Sequence, residues 1–171
     1  MPDPTEQQPA TRARAWIAEH HEAEAVARLI RGFRDHYGRD APSDNAILAG
    51  VERLMDQTDA EFLLSAPDDD SPPLGVAQLR FRFCIWTASP DCWLEDLFVE
   101  AAARRRGVGE SLVELTFERA RKRGARRIEL DTWETNEAAL ALYRRHGFSE
   151  RSKDNDGRDL LLGVTLPRAD A

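Results

Sequence analysis

The chain has 171 residues, 42% of them hydrophobic and 32% charged, and a formal net charge of −7. That length suits one domain of roughly 100–200 residues with a single core, and the balance excludes a chain disordered throughout. The acidity argues against a nucleic-acid partner, no apolar stretch approaches the ~20 residues of a spanning helix, and two cysteines cannot build a disulfide framework or a four-ligand zinc site.

Residues 1–11 read as a disordered tail, and residues 12–168 as a single domain. The start, MPDPTEQQPA, lacks the basic and apolar regions of a secretory signal, so a cytoplasmic protein with no membrane partner is expected. Arg12 to His20 reads as a strand. Val26, Leu29, Ile30, Phe33 and Tyr37 then fall at helical spacing, which predicts an amphipathic helix from Glu22 to Gly38. Ser43 suits the N-cap of a second helix carrying Ile47, Leu48, Val51, Leu54 and Met55. Glu61 to Ser65 is a short strand, and PDDDSPP at 67–73 is a loop on composition. Leu74 to Thr87 alternates as a long strand, Ser89-Pro90-Asp91 is the expected hairpin turn, and Trp93 to Val99 is the return strand. A third helix follows from Gly109 to Arg123, closed by Gly124. Arg127 to Trp133 reads as a strand, Asn136 to His146 as a fourth helix stopped by Gly147, and Gly157 to Leu166 as a last strand after a turn at 154–157. This order predicts an α/β layered fold on a mixed sheet.

Charge is unevenly placed. Residues 104–127 hold nine basic and three acidic side chains, a local +6 that leaves −13 for the rest. Within that segment, after the strand Trp93–Val99, Arg104-x-x-Gly107-x-Gly109 opens a helix. A helix start presents unpaired N–H groups and partial positive charge, glycines let a ligand approach the backbone, and Arg104, Arg105 and Arg106 add charged donors. Such a place favours phosphate. Position 112 is Leu, so the Rossmann spacing fails, and the chain has no Gly-Lys-Ser/Thr for a Walker loop. Asn136 and Tyr143 lie seven apart and share a face of the fourth helix.

The combination LEDLFV…RRRGVGESLVE…IELDTWETNEAALALYRRHGF resembles the GCN5-related N-acetyltransferase superfamily, well from Leu74 to Leu166. The resemblance implies a mixed, mostly antiparallel sheet of about seven strands, a splayed central parallel pair (Trp93–Val99 and Arg127–Trp133) and four flanking helices. It implies acetyl-CoA as co-substrate and no metal. The backbone of Leu97, Phe98 and Val99 would pair with the pantetheine arm, as in β-augmentation. The N–H groups from Arg105 through Arg106, Gly107, Val108 and Gly109 to Glu110 would wrap the pyrophosphate. Asn136 would hydrogen-bond the arm, and Tyr143 would sit at the cofactor's sulfur and protonate the leaving thiolate. A homodimer is also expected, since dimers are common in the family.

The chemistry of acyl transfer agrees. An amine with a pKa near ~10 must lose a proton before it attacks, so a base or a water chain is required. Glu95 and Asp96, expected to point to opposite faces of their strand, are candidates, with Glu95 first. The LEDLFV strand resembles the diamine and polyamine branch, in which adjacent acidic residues hold a cationic amine. Asp131 and Trp133 could then complete the acceptor cleft. The expected partner is a small-molecule amine. Amino acids, aminoglycosides and protein N-termini stay open as acceptors, as does a non-catalytic acyl-CoA-sensing module. Cys84 and Cys92 read as inert thiols, and Phe81, Phe83, Trp86 and Trp93 as sheet core or a dimer face.

Overall fold

The structure, a computed structural model, describes residues 12–151, 156–158 and 160–165. The tail expected at 1–11 and the first half of the turn expected at 154–157 lie outside the described residues. The chain divides into two compact units, Met1–Leu130 and Asp131–Ala171. No helix among the described residues is long and apolar enough to cross a membrane.

The first unit runs β1 (Arg14–Ile17), α1 (Ala23–His36), α2 (Asp44–Met55), β2 (Ala60–Ala66), β3 (Gly75–Cys84), β4 (Ser89–Val99), α3 (Val108–Lys122) and β5 (Ile128–Glu129). A 3₁₀ turn at His20–Glu22 leads into α1, and another at Ala101–Ala103 links β4 to α3. The strands lie side by side in sequence order, antiparallel except for the parallel β4–β5 pair. Local chemistry sets the ends. Ser43 Oγ accepts the Ala46 N–H at 3.3 Å and starts α2, as its sequence position predicts. Past the last turn of α3, Gly124 takes the left-handed conformation (φ 73°) that closes a helix without steric penalty.

Strand alternation divides the core between two faces. Trp16, Leu64, Val76 and Phe98 stand opposite one another across β1 to β4 and pack under α1 and α2. The intervening residues face α3, where the hydroxyls of Ser65 and Ser111 bond at 2.7 Å in the interior. Gly75 faces α3 as well. A Cβ there would lie 2.4 Å from Val108 Cγ1 and 3.1 Å from Leu112 Cδ1, so the glycine lets the first turn of α3 settle onto β3. At the opposite end of α3, Arg119 clasps Glu61 through two bonds of 2.8 Å. Both side chains are about nine-tenths buried, and this hydrogen bonding raises the guanidinium pKa against the opposing effect of burial.

Four expectations are corrected. The β3–β4 turn is Ile85–Ala88, not Ser89-Pro90-Asp91. Ser89, Pro90 and Asp91 are in the ladder opposite Cys84, Phe83 and Arg82, and Pro90, which lacks a donor, contributes its carbonyl to Arg126 N–H at 3.1 Å. Second, Glu95 and Asp96 do not simply alternate. Gln78 pairs with Asp96 while Leu79 pairs with Leu94, so Glu95 is the extra residue of a β-bulge. Third, β5 is two residues long rather than Arg127–Trp133, and its ladder ends at Trp93↔Glu129. Fourth, among the described residues the sheet has five strands rather than about seven.

In the second unit α4 spans Glu137–Arg145, and Gly147 (φ 86°) ends it. Tyr143 is buried and packs edge-on to Phe148, with ring centroids 5.7 Å apart. Arg151 and Arg158 form an isolated antiparallel bridge. The strand expected over Gly157–Leu166 is not formed among the described residues. Leu160, Leu161, Leu162 and Val164 lie exposed there with no ladder partner, and a strand without a partner edge leaves its backbone donors unpaired.

Candidate active site

The basic loop is shaped by two left-handed residues. Arg105 has φ 62° and Gly107, the N-cap of α3, has φ 83°. For a non-glycine residue such as Arg105 this conformation costs about 1–2 kcal/mol. Gly107 offers no side chain to cap the helix, and the first backbone bond of α3 runs from Ser111 N–H to the Gly107 carbonyl at 2.9 Å. The opening turn around Val108, Gly109 and Glu110 is therefore a concentration of partial positive charge. The three arginines have different tasks. Arg104 Nε donates to the Val99 carbonyl at 3.2 Å, and Arg106 donates to Asp68 Oδ2 at 3.2 Å. Arg105 is exposed and makes no hydrogen bond or ion pair among the described residues.

Asp68 belongs to the PDDDSPP loop that composition marked only as a turn. It anchors Arg106 while Ser71 N–H donates to its other oxygen at 2.8 Å. Hydrogen bonding from Ser71 first, with Arg106 adding, holds this carboxyl below the usual carboxylate value. Sequence reading missed both Asp68 and Gly75. A Pro/Asp-rich loop carries no signal of which carboxylate will meet an arginine thirty-eight positions away. Gly75 reads only as the second residue of the strand expected over Leu74–Thr87, and its role appears once the packing of α3 is known.

The outer edge of β4 is the second feature. Its parallel partner stops at Glu129, opposite Trp93, and β4 continues to Val99 with no further parallel pair registered among the described residues. Leu97 and Val99 are half-buried, and Phe98 is buried against Phe33, stacked at 5.4 Å. The bulge sits just beyond the last parallel pair. It puts Glu95 in a groove with Gln78, Arg80 and Trp93, while Asp96 stands across from Gln78, so both carboxylates serve the α1/α2 side of the sheet. Glu95 is exposed and makes no ion pair or hydrogen bond among the described residues.

The second unit carries the remaining candidates. Asn136 caps α4: its Oδ1 accepts Ala139 N–H at 3.4 Å, its Nδ2 donates to Thr132 Oγ1 at 3.5 Å, and its own N–H donates to the Trp133 carbonyl at 2.9 Å. Trp133 and Asp131 are exposed, and Tyr143 is on the buried side of α4. Glu95, Asp96, Leu97–Val99 and Arg104–Glu110 are thus gathered in one unit, and Asp131, Trp133, Asn136 and Tyr143 in the other.

Comparison with known proteins agrees with these features. The sequence profile of the Acetyltransferase (GNAT) family matches residues 26–148. The uncharacterized N-acetyltransferase YhfO of Bacillus subtilis is 27% identical over 133 residues, 78% of this chain and 87% of that protein. The aminoglycoside N(6′)-acetyltransferase type 1 of Klebsiella aerogenes is 34% identical over 97 residues, 53% of this chain and 60% of its own length. A crystal structure from Arthrobacter sp. FB24, assigned to the acetyltransferases, superposes with a TM-score of 0.79 over 96% of this chain and 100% of its own; at 23% identity this likeness carries the fold. With a family match over most of its length, the chain belongs to the acetyltransferase (GNAT) family and is an acyltransferase.

Proposed function

We propose that the protein transfers the acetyl group of acetyl-CoA to a primary amine of a small cationic acceptor, polyamine-like or amino-acid-like. The observation that carries this reading is the stretch of β4 beyond its last parallel pair, leading to the start of α3, where no side chain caps the helix. An extended arm ending in a pyrophosphate fits that sequence of features. The edge offers main-chain donors and acceptors at Leu97, Phe98 and Val99. The loop and helix start from Arg104 to Glu110 offer N–H groups and guanidinium charge to the anion. Asn136, whose amide nitrogen has a second hydrogen to give beyond Thr132, would hold the arm.

Acetyl-CoA brings its acetyl group as an activated thioester. The acceptor nitrogen attacks the carbonyl carbon, the C–S bond breaks, and the nitrogen sheds its surplus proton. We assign delivery of a proton to the departing sulfur to the Tyr143 hydroxyl, and removal of the amine proton, directly or through water, to Glu95. Asp96, Asp131 and Trp133 complete the acceptor's surroundings. A relative named for N-acetylation of an aminoglycoside supports an amine nitrogen as the acceptor. The family match runs across residue 130, which supports the two units acting as one acetyltransferase domain. Exposed Phe83, Ile85 and Trp86 at the β3–β4 turn support a homodimer, which sedimentation tests.

The test of the whole reading is a melt with and without millimolar acetyl-CoA, followed by free-thiol release in the presence of primary amines. Binding only to the folded state raises the melting temperature. Coincident melts, or no amine-dependent thiol release, would sink it.

A further inference from the structure

We infer that the acceptor carries a carboxylate as well as its amine, and that Arg80 and Arg82 receive that carboxylate in the groove where β4 parts from β5. The inference rests on the acetyl-transfer reading above and narrows its acceptor. The groove is open and holds about 430 Å³, enough for an amino-acid-sized molecule, and its wall includes Asp59, Gln78, Arg80, Arg82, Trp93 and Glu95. Ala60, Arg80, Trp93 and Glu129 stand directly opposite one another across four strands. This row lies on the α1/α2 face, but the helices cover the other end of β4, at Phe98. The groove therefore opens at the last parallel pair, where β4 runs on past β5.

Its charge is mixed: the guanidiniums of Arg80 and Arg82 stand with the carboxylates of Asp59 and Glu95. Two guanidiniums project from one face of β3, two residues apart. Neither is held as a structural arginine is held in this protein. Arg119 meets Glu61 with two bonds of 2.8 Å, whereas Arg80 touches Asp59 once at 3.4 Å and Arg82 touches Glu129 once at 3.2 Å. The Arg82 guanidinium also lies 5.0 Å over the Trp93 ring, a cation–π contact that keeps it at the groove. Each guanidinium has five N–H donors, so most remain available. Across the groove, Glu95 makes no ion pair among the described residues. An acceptor with ammonium groups alone would engage Glu95 but leave the spare guanidinium donors unused. One that also has a carboxylate satisfies both sides at once, with the bidentate geometry arginine favours.

Matched pairs of acceptors test this with the full-length protein: lysine against cadaverine, and ornithine against putrescine, each pair differing only in the carboxylate. The carboxylate-bearing member should have the higher kcat/KM by roughly 10–100-fold, the range of a charge-assisted hydrogen bond. Arg80→Gln should reduce that ratio toward one, and Arg80→Glu should invert it, with far-ultraviolet dichroism confirming the fold of each variant. Equal or better turnover of the decarboxylated amines overturns the inference and leaves acetyl transfer standing. An Arg80→Gln variant that slows both members equally also overturns it, because Arg80 is then a structural residue. If acetyl-CoA raises the melting temperature but no amine of either series is acetylated, the acceptor reading falls together with the inference.

Discussion

Replacing Gly75 by alanine probes how the sheet positions the loop at residues 104–107. The added Cβ would meet Val108 Cγ1 at 2.4 Å and Leu112 Cδ1 at 3.1 Å, against an ordinary carbon–carbon contact of about 3.5–4.0 Å. Val108 and Leu112 are both fully buried, so neither side chain has free space to enter. The first turn of α3 must therefore lift by about 1 Å. Overpacking of this kind costs about 1–3 kcal/mol, a fall of roughly 2–12 °C in Tm for a chain of this size. The same lift displaces Gly107, one residue before Val108, and a misplacement of about 1 Å can cost ~10²-fold in catalysis. Calorimetric titration with acetyl-CoA and a thermal melt measure the two effects on one preparation. Adding Val108→Ala removes the closer contact and should recover at least about 0.5 kcal/mol relative to the sum of the single changes. A Gly75→Ala protein with wild-type Tm and wild-type affinity for acetyl-CoA would refute the reasoning.

Tyr143→Phe keeps the ring packed on Phe148 and should leave Tm nearly unchanged while turnover drops by about 10²–10⁴-fold; normal turnover would return Tyr143 to a packing role. Glu61→Gln removes the charge that pairs Arg119 and Arg123 and should lower stability by about 3 kcal/mol, a change that chemical denaturation measures directly. Burial first, then the charge of Glu61, pushes the Cys92 thiol up from 9.0 to about 12, against the opposing pull of Arg123. Its contribution to stability is therefore complete below pH 9.0 and is lost as pH rises toward about 12, so alkaline melts of wild type should fall more steeply than those of Cys92→Ala; parallel curves would exclude the effect.

The helices were legible because their signals are local. The apolar spacing of α1, Ser43 before α2 and Gly124 after α3 each act within a few residues. The start of α3 was legible for the same reason, with Gly107 just before its first residue. The misplaced hairpin turn shows the limit. Ser89-Pro90-Asp91 has turn composition, but the pairing of β3 with β4 continues through it to Cys84↔Ser89, and tertiary pairing overrides local preference. The bulge at Glu95 is a matter of register between two strands and leaves no mark on either one alone. The charge balance of the groove was hidden likewise, since Arg80, Trp93 and Glu129 become neighbours only through the ladders. The LEDLFV resemblance pointed to a cationic acceptor, while the ladders set two guanidiniums and the carboxylates of Asp59 and Glu95 in one groove.

Deleting Glu95 separates what the bulge does from what the carboxylate does. Without the extra residue, Leu94 still pairs with Leu79 and Asp96 with Gln78, and the ladder runs uninterrupted. Leu94 and Leu97 keep the α3 face and Phe98 keeps its place against Phe33, so the core is preserved and the deletion protein should fold with a Tm close to wild type. What disappears is the bend, because a bulge curves its strand and sharpens the local twist. That bend lies immediately after Trp93↔Glu129, where β4 leaves its parallel partner. If the bend is what turns the edge outward, the deletion should weaken acetyl-CoA binding more than about 10-fold, on the scale of a misplacement near 1 Å. Glu95→Ala keeps the bulge and should bind acetyl-CoA normally while losing acceptor turnover. Calorimetric titration of the two variants decides between the roles. Wild-type affinity in the deletion would show that the edge opens for another reason, and equal loss in Glu95→Ala would place the effect in the side chain rather than the backbone.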